Sequence, residues 1–133
     1  MGTRAIISIK EKENDKDYCT IYKQFDGYPE GLGAELLEYV TNKSVVNGFS
    51  SEHKFHKAFN GIGDFCASLV AYFKTDIGDF YIEKSDARNM GEEFIYTIIV
   101  KVGQPIKLIC HDVYEKKSFE MTTSENNKET KWK

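Results

Sequence analysis

The segment YKQFDGYPEGLG, residues 22–33, concentrates side chains able to hold a ligand. Tyr22 and Gln24 alternate along an extended stretch and so point to the same side. Asp26, Tyr28 and Glu30 follow within Asp-Gly and Pro chemistry that demands a tight turn. The turn leads into a helix, and rigid elements on both sides of a loop suit it to carry a site. A plain turn, with Asp26 bonded to its own backbone, accounts for the same residues. A second group is Asn60-Gly61-Ile62-Gly63-Asp64, where glycines before a helix allow backbone N–H groups to approach an anion. Its spacing fits neither a P-loop nor a dinucleotide fingerprint, and Asp64 repels phosphate. A helix cap at Asn60 explains it more simply. The third group is Phe80-Tyr81 with Glu92, Glu93 and Tyr96. Here aromatic faces can stack a flat ring while a carboxylate reads a hydroxyl or amine, although cross-strand core packing is the plainer account. Arg4 adds a guanidinium. The candidate ligand-binding set is therefore Arg4, Tyr22, Gln24, Asp26, Tyr28, Glu30, Asn60, Asp64, Phe80, Tyr81 and Glu92.

Other chemistries find less support. His53 and His56 share a helical face if that stretch is helical, but no carboxylate or cysteine at a ligand spacing joins them. His111-Asp112 is an isolated pair, so neither a metal nor a cofactor is expected. No GxSxG occurs. Cys19, Cys66 and Cys110 are widely spaced, with no CxxC pair, and read as reduced, half-buried thiols. Carboxylates such as Asp26 with Glu30, or Asp64 with Asp79, suit acid–base work only if they meet in space. No catalytic residue is assigned.

The whole chain sets further bounds. It has 133 residues, 41% of them hydrophobic and 29% charged, which suits one globular domain with a real core. Aromatic residues reach 14%, a bias toward half-buried pleated surfaces. The net charge is −3, and Arg4 and Arg88 are the only arginines. That argues against gripping a nucleic-acid polymer, which takes a basic patch. No apolar run approaches a membrane span, and Arg4 is followed by an alternating segment rather than the core of a signal peptide. A cytoplasmic protein is expected.

The elements that must position these residues follow from periodicity. Residues 4–10 and 18–25 read as a β-hairpin around a charged loop, with Ala5, Ile7 and Ile9 on one face. A helix runs from about Leu32 to Asn42, its stripe formed by Leu32, Leu36, Tyr39 and Val40. Residues 43–59 leave a short strand or a helical turn open. Residues 60–76 form the strongest helix, and 78–83 a short strand. Residues 93–102 form a long apolar strand, central in the sheet and either covered on both faces or paired in an oligomer. Residues 106–111 and a segment near Phe119 and Met121 complete the strands. The fold class is α+β: an antiparallel sheet with two helices packed on one face, a two-layer sandwich. One domain spans residues 1–123, and 124–133 form a disordered polar tail.

Three segments together, Met1-Gly2-Thr3-Arg4-Ala5, Tyr22 through Gly33 and Asn60-Gly61-Ile62-Gly63, resemble a family of small uncharacterised proteins from bacteria and their phages. The resemblance covers about the first 80 residues. It implies an intracellular protein of a bacterium or its phage, and carries no functional residue with it. The expected function is binding of a small nucleotide-like ligand, for instance to sequester a host immune signal. One alternative is a protein-binding inhibitor that self-assembles as a homo-oligomer. A second is a small hydrolase using Asp26, Glu30, Asp64 or Glu92.

Overall fold

The computed structural model describes residues 2–48 and 58–121. His53, His56 and the segment 124–133 lie outside the described residues, as does the expected domain boundary at 123. Strands β1 (Ala5–Lys10) and β2 (Cys19–Lys23) form the expected hairpin. A π-helical turn over Pro29–Gly33 runs directly into α1 (Ala34–Val40). The described ends of the region left open form two short parallel strands, β3 (Ser44–Val46) and β4 (Ala58–Asn60). Helix α2 (Gly61–Phe73) follows, then β5 (Phe80–Glu83), β6 (Phe94–Ile99), β7 (Lys107–Asp112) and β8 (Lys117–Met121).

Six strands make one sheet in the order β5-β2-β1-β6-β7-β8. The fold is α+β, as the periodicity implied. Every pairing in this sheet is antiparallel except that of β1 with β6, which is parallel. The reason is topological. Strands β5 and β6 are separated by β2 and β1, so residues 84–93 cannot close a hairpin and must cross the sheet.

Both helices bury their apolar stripes on the same face of the sheet. Leu36, Tyr39 and Val40 of α1 and Ile62, Phe65, Cys66 and Leu69 of α2 share one core with Ala5, Ile7, Ile9, Ile21, Tyr96, Ile98, Leu108 and Cys110. Strand β6 is central, as expected. Its helix-side residues Tyr96 and Ile98 are fully buried, whereas Ile95, Thr97 and Ile99 on the other face are only half-buried.

The second face is covered differently. Ile6 and Ser8 point away from the helices yet are completely buried, because residues 84–93 lie across them. This crossing is pinned by Asp17. Its carboxylate, fully enclosed, accepts hydrogen bonds from the Ser8 and Thr20 hydroxyls and from Arg88 Nη1 at 3.0 Å, with Lys10 Nζ 3.5 Å away. Asp17 N–H donates to Asp86 Oδ1, Asp86 N–H to Thr20 Oγ1, and Ser85 Oγ to the Asp17 carbonyl. Three left-handed residues, Asp86, Asn89 and Gly91, let the segment bend this tightly. At Gly91, itself left-handed, a Cβ would meet the Arg4 guanidinium and displace it.

Candidate ligand-binding surface

The register of β2 against β5 decides which candidates meet. Tyr22 pairs with Tyr81, and Lys23 with Phe80. Paired residues share a face and successive residues alternate. Tyr22 and Tyr81 therefore stand together on the face away from the helices, their ring centroids 5.8 Å apart and their planes inclined by 32°. Tyr81 Oη donates to Gln24 Oε1 at 3.4 Å, which aligns Gln24 with the pair. The Lys74 ammonium lies 5.7 Å from the centre of the Tyr81 ring. It is held there by the carbonyls of Gly78 and Phe80, at 2.8 and 3.1 Å.

The backbone beneath this group is stitched from both sides. Asp79, in a left-handed conformation, accepts Gln24 N–H on its carbonyl at 2.7 Å and Phe25 N–H on its carboxylate at 2.9 Å. The same carboxylate binds Lys23 Nζ at 2.7 Å, and that ammonium also donates to the Phe25 carbonyl. On the other side of Tyr22 lies Ile6, its partner on β1, under residues 84–93. Two tyrosine rings, a primary amide and an ammonium are thus gathered on one surface.

The remaining candidates fall elsewhere. Asp26, Tyr28 and Glu30 form the turn into α1, where Leu32 N–H donates to the Asp26 carbonyl and Tyr28 Oη to Asp26 Oδ1 at 3.3 Å. The Asp26 charge pushes the Tyr28 hydroxyl above its ordinary pKa, with burial, the Asp26 hydrogen bond and the charges of Glu30 and Glu35 acting in the same direction. This turn is docked on the sheet by Tyr96, whose buried hydroxyl donates to the Gly27 carbonyl at 2.7 Å. Tyr96 thus anchors the turn from within the core. Arg4 donates to the Met90 carbonyl, and the Glu92 carboxylate accepts Asn89 and Met90 N–H; both shape the crossing segment.

Asn60 and Asp64 sit at the start of α2. Asn60 Oδ1 accepts Gly48 N–H at 2.7 Å, and Asp64 accepts Asn60 N–H at 2.8 Å. Asn60 thus occupies the cap position without capping through its own side chain. Phe80 is a core residue stacked on Phe73, with centroids 5.9 Å apart and planes 10° from parallel. Tyr22 and Phe80 lie on opposite faces of one sheet, so Tyr22, Tyr28, Asn60 and Phe80 do not line one cavity. The sheet's pleat separates them.

Sequence reasoning misses two parts of this arrangement. Lys74 falls inside the helix expected over residues 60–76, which ends at Phe73 in the structure, and only the chain's return into β5 brings it over Tyr81. The Asp17 network has one visible signal, a lone Ser8 inside the apolar run AIISIK. His111 Nδ1 lies 2.7 Å from Ser118 Oγ across β7 and β8, rather than against Asp112. No cluster able to hold a metal ion occurs among the described residues, and none of their helices is long and apolar enough to cross a membrane. No family model, curated protein or solved structure matches this chain.

Proposed function

We propose that the protein is a non-catalytic binding module for a small planar, nucleobase-like ligand, held on the surface formed by Tyr22, Gln24, Tyr81 and Lys74. The observation that carries the reading is the convergence of these four side chains on one rigidly stitched patch. A base stacked on an aromatic side chain gains about 1–3 kcal/mol, whatever its identity. With its oxygen engaged by Tyr81, the Gln24 amide offers its NH2 to a ring carbonyl. Lys74 uses two of its three N–H donors on backbone carbonyls, leaving one for a phosphate or ring acceptor. Of the eleven candidates, Tyr22, Gln24 and Tyr81 form the contact surface in this reading, while Arg4 and Glu92 shape residues 84–93. Such a module acts by sequestering its ligand, and a nucleotide signal fits the chemistry.

Thermal unfolding against a panel of nucleotides and cyclic dinucleotides tests this. A ligand at about 100 times its Kd that binds only the folded chain adds roughly 2.7 kcal/mol, enough to raise the midpoint by several degrees. Tyr81→Ala and Tyr22→Ala should remove that rise. A flat panel, or a rise that survives both substitutions, overturns the reading.

One observation favours a second reading, an interaction protein. Ile95, Ile99 and Ile109 are half-buried on the part of the sheet that neither the helices nor residues 84–93 cover. A homo-oligomer joined there would bury them. Sedimentation showing a monomer at high concentration counts against it.

A further inference from the structure

We propose that Cys19 and Cys66 are a reversible dithiol–disulfide pair, oxidised by hydroperoxides to a bridge that staples helix α2 to strand β2. Cys19 faces the helices from β2, opposite Ile9, and is half-buried against the core that includes Cys66. One turn before Cys66 on the same helix, a Cβ at Gly63 would sit 3.2 Å from the Tyr18 hydroxyl. The first turn of α2 is therefore within side-chain reach of the residue that precedes Cys19. Each thiol is close enough to the other to perturb its acidity.

The partners are not equivalent. The hydrogen bond from Cys66 lowers the pKa of Cys19 against the opposing effects of burial and of Asp17. The Cys66 thiol is pushed up by its donation to Cys19 and by burial. A partly exposed thiol with a lowered pKa beside a resolving cysteine is the arrangement that oxidises selectively. The third thiol, Cys110, lies fully buried on β7 against Tyr96, and burial pushes it up to about 12. It supplies an internal control.

Oxidation runs in two steps. The Cys19 thiolate attacks one oxygen of the peroxide, the O–O bond breaks, and the departing oxide takes a proton and leaves as water or alcohol. Cys19 is then a sulfenic acid. The Cys66 sulfur attacks the Cys19 sulfur, the S–O bond breaks, and hydroxide leaves as water with the Cys66 proton. The two thiols lose two electrons and the peroxide gains them. Closure sets the sulfurs about 2.0 Å apart. A dithiol reductant reverses it by exchange.

The test uses the full chain and hydrogen peroxide, followed by alkylation after unfolding, intact mass and non-reducing peptide mapping. The expected result is a mass loss of about 2 Da, a Cys19–Cys66 cross-linked peptide, and one alkylated thiol, Cys110. Dithiothreitol should restore three. In Cys66→Ser, Cys19 should gain oxygen at least about tenfold faster than Cys110, with no internal bridge. Mapping of the unmodified chain decides the matter even if that variant fails to fold. Three alkylatable thiols after peroxide, a bridge involving Cys110, or only intermolecular disulfides would each overturn the proposal.

Discussion

Replacing Asp17 by asparagine removes the charge from an enclosed carboxylate while keeping the side chain's shape. Burial by itself raises the pKa of this carboxyl. The Arg88 hydrogen bond, those from Ser8 and Thr20, and the Arg88 charge more than offset burial and hold it at about 2, against an ordinary 3.8. A carboxyl depressed on folding stabilises the folded chain above its unfolded pKa, and that stabilisation is lost as pH falls through the folded value. The gap is worth about 2 kcal/mol at neutral pH, roughly half of that at pH 3 and only a small fraction of it at pH 2. The amide of the Asp17→Asn variant has no charge to contribute, so the loss of stability should follow the same curve. With an unfolding entropy of about 0.28 kcal/mol/K for a chain this long, a loss of about 2 kcal/mol lowers the midpoint by about 7 °C. Urea unfolding of both chains at pH 7, 4, 3 and 2 measures the difference directly. A gap below about 0.5 kcal/mol at pH 7, or one that stays constant down to pH 2, would refute the charge-based account of how residues 84–93 are held.

Three further substitutions separate the parts of the fold. Tyr96→Phe leaves the Gly27 carbonyl without its donor and should cost about 1–2 kcal/mol, with faster amide exchange over residues 26–33 as the readout. Gly91→Ala places a methyl group on the Arg4 guanidinium at a left-handed position (φ 84°); a loss of about 1–3 kcal/mol is expected in denaturant melts. Phe80→Ala opens the core beside Phe73 and should cost about 3–5 kcal/mol. Tyr81→Ala, one residue along and 40% exposed, should cost under about 1.5 kcal/mol. Similar losses at 80 and 81 would contradict the assignment of the two rings to opposite faces.

Much of the fold is legible from period alone. The 3.6-residue stripes of Leu36, Tyr39 and Val40 and of Ile62, Phe65, Cys66 and Leu69 mark the two helices. The alternation of Ala5, Ile7 and Ile9 marks the face they cover, since local geometry dictates which residues share a side. The turn at Asp26–Gly31 is likewise written in residues that tolerate or require special dihedrals. The candidate surface is legible only in part, because Tyr22 and Gln24 share a strand and reveal their common face by spacing.

Outside residues 43–59, element type, order and inward face are properties of neighbours within a few residues and can be read along the chain. Which strands lie side by side emerges only in the folded chain. That choice set Tyr81 rather than Phe80 beside Tyr22, brought Lys74 over a ring, and sent residues 84–93 across Ile6 to Asp17. It also left Asn60 and Asp64 bonded to Gly48 and to each other rather than to the tyrosine pair. Strand order and crossover are fixed by where the whole chain buries its apolar surface and satisfies Asp17. Both depend on contacts between residues far apart along the chain, to which local periodicity is blind.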